Sequence, residues 1–178
     1  MLNRAQTGLL VVDIQGKLAR QVEQSEQLIA RSALLIEGAN ILDLPLIWLE
    51  QAPEKLGPTV EELRPLMQEP AYAKFTFSGL RTQAIADAII RSGVQHWLVC
   101  GIEAHICVYQ SARDLLARGA GVSLVCDAIS ARHPMDKAVA LQQLTALGAH
   151  LTTAEMALYE LLEDSRDPAF RRVLARVR

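Results

Sequence analysis

The sequence predicts an α/β fold in which a parallel sheet is covered by helices on both faces. Short bursts rich in Val, Ile and Leu recur along the chain, apolar throughout and not in alternation, which is how strands buried on both faces read. These bursts are separated by longer stretches of helical period, the order of βα units joined by right-handed crossovers. All strands then run one way, and their carboxyl ends line the edge at which such sheets bind ligands.

Residues 8–13 (Gly-Leu-Leu-Val-Val-Asp) are the first buried strand, and Leu28 to Leu42 carries apolar residues at three- and four-residue spacing, a helix. Residues 45–49 (Pro-Leu-Ile-Trp-Leu) form the second strand. Residues 51–70 contain Pro53, Gly57, Pro58, Pro65 and Pro70, a long excursion with no more than a short helix at 60–67. Residues 71–75 are a short third strand. Thereafter the alternation is regular: a helix over 82–91 stopped by Gly93, a strand over 96–100, a bend from Gly101 to Ile106, and a helix from about Cys107 to Arg118 closed by Gly119. A strand over 121–126, a helix over 135–147 ended by Gly148 and a last short strand over 149–153 follow. Thr153 is placed to cap a helix through Glu160, and a basic helix over 168–177 closes the chain. Without an internal repeat or low-complexity segment, residues 1–178 read as one domain.

Composition narrows the function classes. A chain of 178 residues buries about 70% of its unfolded surface without a disulfide or metal staple. Hydrophobic residues make up 51%, charged residues 21% and aromatics 4%, with a net charge of −2. That balance offers neither a basic stripe nor a stacking platform for nucleic acid. The apolar runs fall short of the roughly 20 residues that span a bilayer, and residues 1–4 lead into the first strand without a signal-peptide core; the expected location is the cytoplasm. Cys100, Cys107 and Cys126 are odd in number and form no CxxC pair, so each is core filler or a nucleophile.

Three residues are placed for chemistry. Asp13 ends the first strand, where partial desolvation raises a carboxylate's proton affinity and suits it to act as a base; the plainer reading is a cap on the next segment. Cys107 follows the fourth strand at the expected start of a helix, where unpaired N–H groups and the helix dipole favour thiolate and could hold an oxyanion. Its plainer reading is a small buried hydrophobe. Cys100 and Cys126 lie within strands and read as core. Lys74, among aromatics, reaches solvent along its stem unless the third strand ends at the same edge.

Taken together, Leu-Val-Val-Asp-Ile-Gln (10–15), Lys-Phe-Thr-Phe-Ser (74–78), Gly-Ile-Glu-Ala-His-Ile-Cys-Val (101–108) and Cys-Asp-Ala-Ile-Ser (126–130) resemble the isochorismatase-like hydrolases, in particular the isochorismatase domain-containing proteins. The resemblance runs from about residue 5 to 165. It implies a three-layer α/β/α fold with a six-stranded parallel sheet and an Asp–Lys–Cys triad at Asp13, Lys74 and Cys107. It further implies a cis peptide between Ile102 and Glu103, and an oxyanion hole made by the backbone N–H groups of Glu103 and Cys107. Homo-oligomers, dimers or larger, are the rule in the family, and the helices over 111–118 and 138–147 could supply the interface.

Departures from the family's better-known members are equally informative. Nicotinamidases carry an Asp-x-His pair after the second strand, whereas residues 49–58 here contain no histidine, and His96, His105, His133 and His150 lack ligand spacing; no metal or other cofactor is expected. True isochorismatases lack the cysteine. The expected activity is metal-independent hydrolysis of a small amide or related carbonyl compound through a thioester, the rival being an idle relative that binds a metabolite or protein. Gln15, Glu50, Gln51, Phe77 and His105 are the candidate pocket residues, and Asp127 is read as holding its loop. Neither GxGxxG nor GxSxG is present.

Overall fold

The computed structural model describes residues 2–177. In chain order the elements are β1 (Thr7–Val12), α1 (Leu18–Gln21), α2 (Ser25–Ile41), β2 (Leu46–Gln51), α3 (Pro53–Leu56), β3 (Tyr72–Lys74), α4 (Gln83–Arg91), β4 (His96–Gly101), a π-helical turn (Ala104–Val108), α5 (Tyr109–Ala117), β5 (Gly121–Ile129), α6 (Pro134–Ala146), β6 (His150–Thr152), α7 (Ala154–Leu162) and α8 (Phe170–Val177). The six strands form one parallel sheet in the order β3-β2-β1-β4-β5-β6.

Alternate residues of the four central strands feed two cores. Leu9, Val11, Trp48, Leu98, Cys100 and Val125 pack under α2, α7 and α8. Leu10, Val12, Ile47, Leu49, Val99 and Leu124 pack under α4, α5 and α6. The result is the expected three-layer architecture, and it explains why β1 has no polar alternation: both of its faces are interior. From β1 the strand order runs outward in both directions, which puts the switch between β1 and β4.

Local differences from the sequence reading have physical causes. No regular helix fills 60–67; a turn and a 3-10 turn at Arg64–Leu66 stand there, since Pro65 lacks the N–H a longer helix needs. The short helices α1 and α3 carry too few residues to show a period. β5 runs three residues beyond Cys126: Asp127 lies in the irregular stretch where the register with β4 passes from Val99–Leu124 to Gly101–Ile129, and its side chain finds partners off the sheet. Its carboxylate accepts from the Ala154 N–H at 2.8 Å, at the start of α7, and lies 3.8 Å from Arg31 Nε. Asp127 thus ties the sheet to α7, and Thr153 Oγ1 caps the same helix by accepting from the Met156 N–H at 3.3 Å.

Candidate active site

Four neighbouring strands each deliver one polar residue to the same edge. Asp13 directly follows β1, with a backbone φ of +52°. Gln51 and Lys74 are the last residues of β2 and β3 and are partners in register. Cys107 lies in the π-helical turn after β4, one turn inside the helical stretch and not at its first residue. The edge approach depends on Gly101: it has φ +123°, and a Cβ there would stand 2.0 Å from Val12 O, so only glycine lets β4 leave the sheet so close to β1.

The side chains converge in the interior. Lys74 Nζ donates to Asp13 Oδ2 at 2.8 Å and to Gln51 Oε1 at 2.7 Å. The Cys107 thiol points at Gln51 Oε1, 4.0 Å away. Asp13 and Lys74 are each 1% exposed and Cys107 7%. Asp13 Oδ1 is buried and, among the described residues, has no hydrogen-bond partner.

Burial dominates the electrostatics. It raises the Asp13 carboxyl above its ordinary value, against the pull of the Lys74 ammonium. The Cys107 thiol is pushed up to about 12, first by burial and then by the Asp13 charge, with Lys74 opposing. Burial beside a carboxylate thus acts against the lowering expected from a helix terminus, and Cys107 lies inside the helical stretch instead of at its first residue. Cys100, within β4, is raised further still by burial, and Cys126 is raised as well.

The turn before the cysteine has a defined polar lining. The Ile102–Glu103 peptide is cis. On either side of the Glu103 N–H, that of Ile102 donates to Val12 O and that of Ala104 to Ser130 O, both at 2.9 Å, while the Glu103 N–H takes no acceptor among the described residues. The Glu103 carboxylate accepts from Arg132 Nε at 3.0 Å and from the Arg132 backbone N–H at 3.1 Å. Arg132 escaped the sequence reading: it follows a strand that appeared to end earlier, and a lone arginine in a loop carries no period.

The remaining candidates divide. Gln51 joins the cluster. Gln15 is fully buried, and its amide bonds only to main chain, at Gln51 and Gly57, so it presents nothing to a pocket. Glu50 likewise turns away, Oε1 accepting from the N–H and hydroxyl of Thr59 at 2.6 and 2.7 Å. Phe77 is 53% exposed and packs in neither core. His105 Nε2 stands 3.6 Å from Asp136 Oδ2, and its Nδ1 is buried without a partner among the described residues. Among the described residues no three His, Cys, Asp or Glu side chains gather as a metal set, and no helix is long and apolar enough to cross a membrane.

A groove of about 700 Å³ lies at the other end of β2, lined by Pro45, Ile47, Trp48, Tyr72 and Arg91 among others, and none of the four clustered residues borders it.

Comparison with known proteins agrees with this fold. The family model for the isochorismatase domain matches residues 7–156. Isochorismatase domain-containing protein 2 of Danio rerio is 36% identical over 166 residues, covering 93% of this chain and 83% of that protein. The Homo sapiens protein of that name is 35% identical over 171 residues, covering 93% and 80%. The solved structure of the MAR1 ribonuclease from Caenorhabditis elegans has a TM-score of 0.93 at 36% identity, covering 99% of this chain and 91% of its own. The YcaC product of Escherichia coli, an octameric hydrolase of unknown specificity, shares the fold with a TM-score of 0.93 at 22% identity, covering 98% and 89%. Since the matched span runs from the first residue of β1 into α7, and so includes every strand end that carries the cluster, the chain belongs to the isochorismatase family.

Proposed function

We propose that the protein is a metal-independent cysteine hydrolase of small amides or chemically related carbonyl compounds, with residues 1–178 as one hydrolase domain (Met1 and Arg178 lie outside the described residues). The observation that carries this reading is the buried Lys74–Asp13 pair at 2.8 Å, set beside a thiol that both charges act upon. An ion pair excluded from water is expensive to keep, and next to a sulfur its use is chemical.

Asp13 takes the thiol proton as Cys107 Sγ forms a bond to the substrate carbonyl carbon, and the carbonyl electrons move onto oxygen. The Glu103 N–H, free of a backbone acceptor, and the Cys107 N–H receive that oxyanion. The oxyanion collapses, the carbon–nitrogen bond breaks, and Asp13 returns its proton to the leaving nitrogen. Water then attacks the thioester with Asp13 taking its proton, and the expelled thiolate recovers that proton. Lys74 keeps a fixed positive charge beside the sulfur throughout. Because the thiol is held neutral at rest, attack and proton transfer are coupled, and a base within the site is indispensable.

A second reading comes from the C. elegans relative, whose name is that of a ribonuclease. Against it stand the net charge of −2 and a Cys107 only 7% exposed, which suit a small neutral substrate better than a polyanion. The idle-relative reading is opposed by the cost of keeping the ion pair. We further propose that it acts as a homo-oligomer in the cytoplasm; the octameric state of the E. coli YcaC product, which has the same fold, supports the first of these. The test is a screen over amides, ureides, esters and RNA with the intact protein and with Cys107→Ala. Turnover of a small carbonyl substrate that falls by about 10⁴-fold or more in Cys107→Ala is the expected result, the scale seen when a covalent nucleophile is removed. Unchanged turnover in that variant, or cleavage of RNA alone, overturns the reading.

A further inference from the structure

Lys74 is the end of a three-residue strand at the edge of the sheet, yet its ammonium is fully enclosed. An ammonium has three donors and must spend them on acceptors when water is excluded. Asp13 Oδ2 takes one at 2.8 Å, and the other acceptor among the described residues is a neutral amide oxygen, Gln51 Oε1, at 2.7 Å.

That amide is itself held at every polar atom. Gln51 Nε2 donates to Phe75 O at 2.9 Å. The main chain of Gln51 is gripped by the Gln15 amide as if by a neighbouring strand: the Gln51 N–H donates to Gln15 Oε1 at 2.7 Å, and Gln15 Nε2 donates to Gln51 O at 3.0 Å. Gln15 Nε2 also donates to Gly57 O at 2.7 Å, which anchors it to the loop after β2. Since Gln15 lies two residues beyond Asp13, and its own N–H donates to Asp13 O at 2.9 Å, the contacts close a ring: Asp13, Gln15, Gln51, Lys74 and back to Asp13. Three adjacent strand ends, of β1, β2 and β3, are thereby locked, with the sulfur 4.0 Å from the shared oxygen. The other nearby carboxylate on β2, Glu50, is turned to Thr59. On the β4 side Glu103 is paired with Arg132 and His105 with Asp136.

We propose that Gln51 is a positioning residue for the Lys74 ammonium and that Gln15 is the clamp that fixes Gln51, so that five side chains and not three set the reaction centre. A neutral amide solvates the ammonium without adding charge. A carboxylate in its place would compete with Asp13 for the cation and put a second negative charge beside the sulfur. The proposal rests on reading Cys107 as the nucleophile.

The test is alkylation of Cys107 by iodoacetamide, followed by peptide mass spectrometry so that Cys100 and Cys126 do not contribute, as a function of pH below the thiol's midpoint. Asp13→Asn serves as the reference variant. In Gln51→Met, of similar length but without the acceptor, the ammonium loses its hold beside the sulfur. The rate at fixed pH is expected to fall about threefold or more, equivalent to a midpoint raised by about half a pH unit. Gln51→Glu, isosteric and still an acceptor, is expected to fall further because of its charge. Gln15→Met is expected to follow Gln51→Met in direction. If both folded Gln51 variants alkylate as the wild type does while Asp13→Asn alters the rate, Gln51 does not position the ammonium and the proposal is overturned alone. If Asp13→Asn is also without effect, no charge in the cluster reaches the sulfur, and the cysteine-hydrolase reading falls with it.

Discussion

At the level of single residues, burial raises the proton affinity of both ends of the proposed proton transfer. The Asp13 carboxyl becomes a better base than a surface aspartate, and the Cys107 thiol, at about 12, a poorer acid than a free cysteine. These effects predict opposite consequences of one substitution. Asp13→Asn removes the negative charge that helps hold the thiol up, so the thiolate fraction at a given pH rises, and iodoacetamide should alkylate Cys107 faster, tenfold for each unit the thiol falls. The same variant has no base to take the thiol proton during turnover, so hydrolysis should fall by about 10²–10⁴-fold. Alkylation and turnover falling together would show that Asp13 acts on the thiol in some other way. These residues were singled out in the sequence chiefly by the motif resemblance, since position alone left Asp13 readable as a cap, Cys107 as a small buried hydrophobe and Lys74 as a solvent-reaching side chain. Their ionisation was not legible there: a helix start is visible in sequence, but the water excluded from it is not. Gln15 and Gln51 show the same limit, since an amide that lines a pocket and one that grips main chain are spelled alike.

Elements carry the site because strand ends are cheap to aim. The apolar runs that mark β1, β2, β4 and β5 also fix their burial, and burial on both faces fixes the layers. What remained hidden were places where local geometry departs from a period. The π-helical turn moves Cys107 one turn inside the helix, and β5 continues past a charged residue that has a partner on α7. Gly101 sets how β4 leaves the sheet ahead of the π-helical turn. At φ +123°, with Val12 O 2.0 Å from the site of a Cβ, Gly101→Ala should destabilise the protein by more than about 3 kcal/mol, from strain and main-chain displacement together. Gly93 is the control: it too has positive φ, +67°, but its Cβ would meet nothing within 4 Å. Gly93→Ala should therefore cost only the left-handed conformation, about 1–2 kcal/mol. Urea unfolding of the two variants measures the difference, and equal losses would mean that the contact with β1 is relieved by small shifts.

For the molecule as a whole, the Lys74–Asp13 pair is a link between the sheet's outer strand and its centre, and its energetics are those of a charge pair without water. Removing one member leaves the other buried and uncompensated, a loss of about 3–5 kcal/mol, whereas replacing both by groups of similar shape is often close to neutral. Against a total stability of about 5–15 kcal/mol, Lys74→Met should be severely destabilised, and Asp13→Asn with Lys74→Met should recover most of the loss. The deficit should also depend on pH with a definite sign. In Lys74→Met the carboxyl has lost the cation that opposed its rise, so its folded-state pKa lies further above the unfolded value, close to 3.8. A folded state that binds the extra proton loses stability as pH rises through the interval between those two values. Lys74→Met should thus approach the wild type in urea midpoint as the pH is lowered toward 4, and fall away from it toward neutrality. A deficit that stayed constant over that range would mean that Asp13 reaches solvent once the lysine is gone, and that its burial depends on the ion pair instead of on the strands around it.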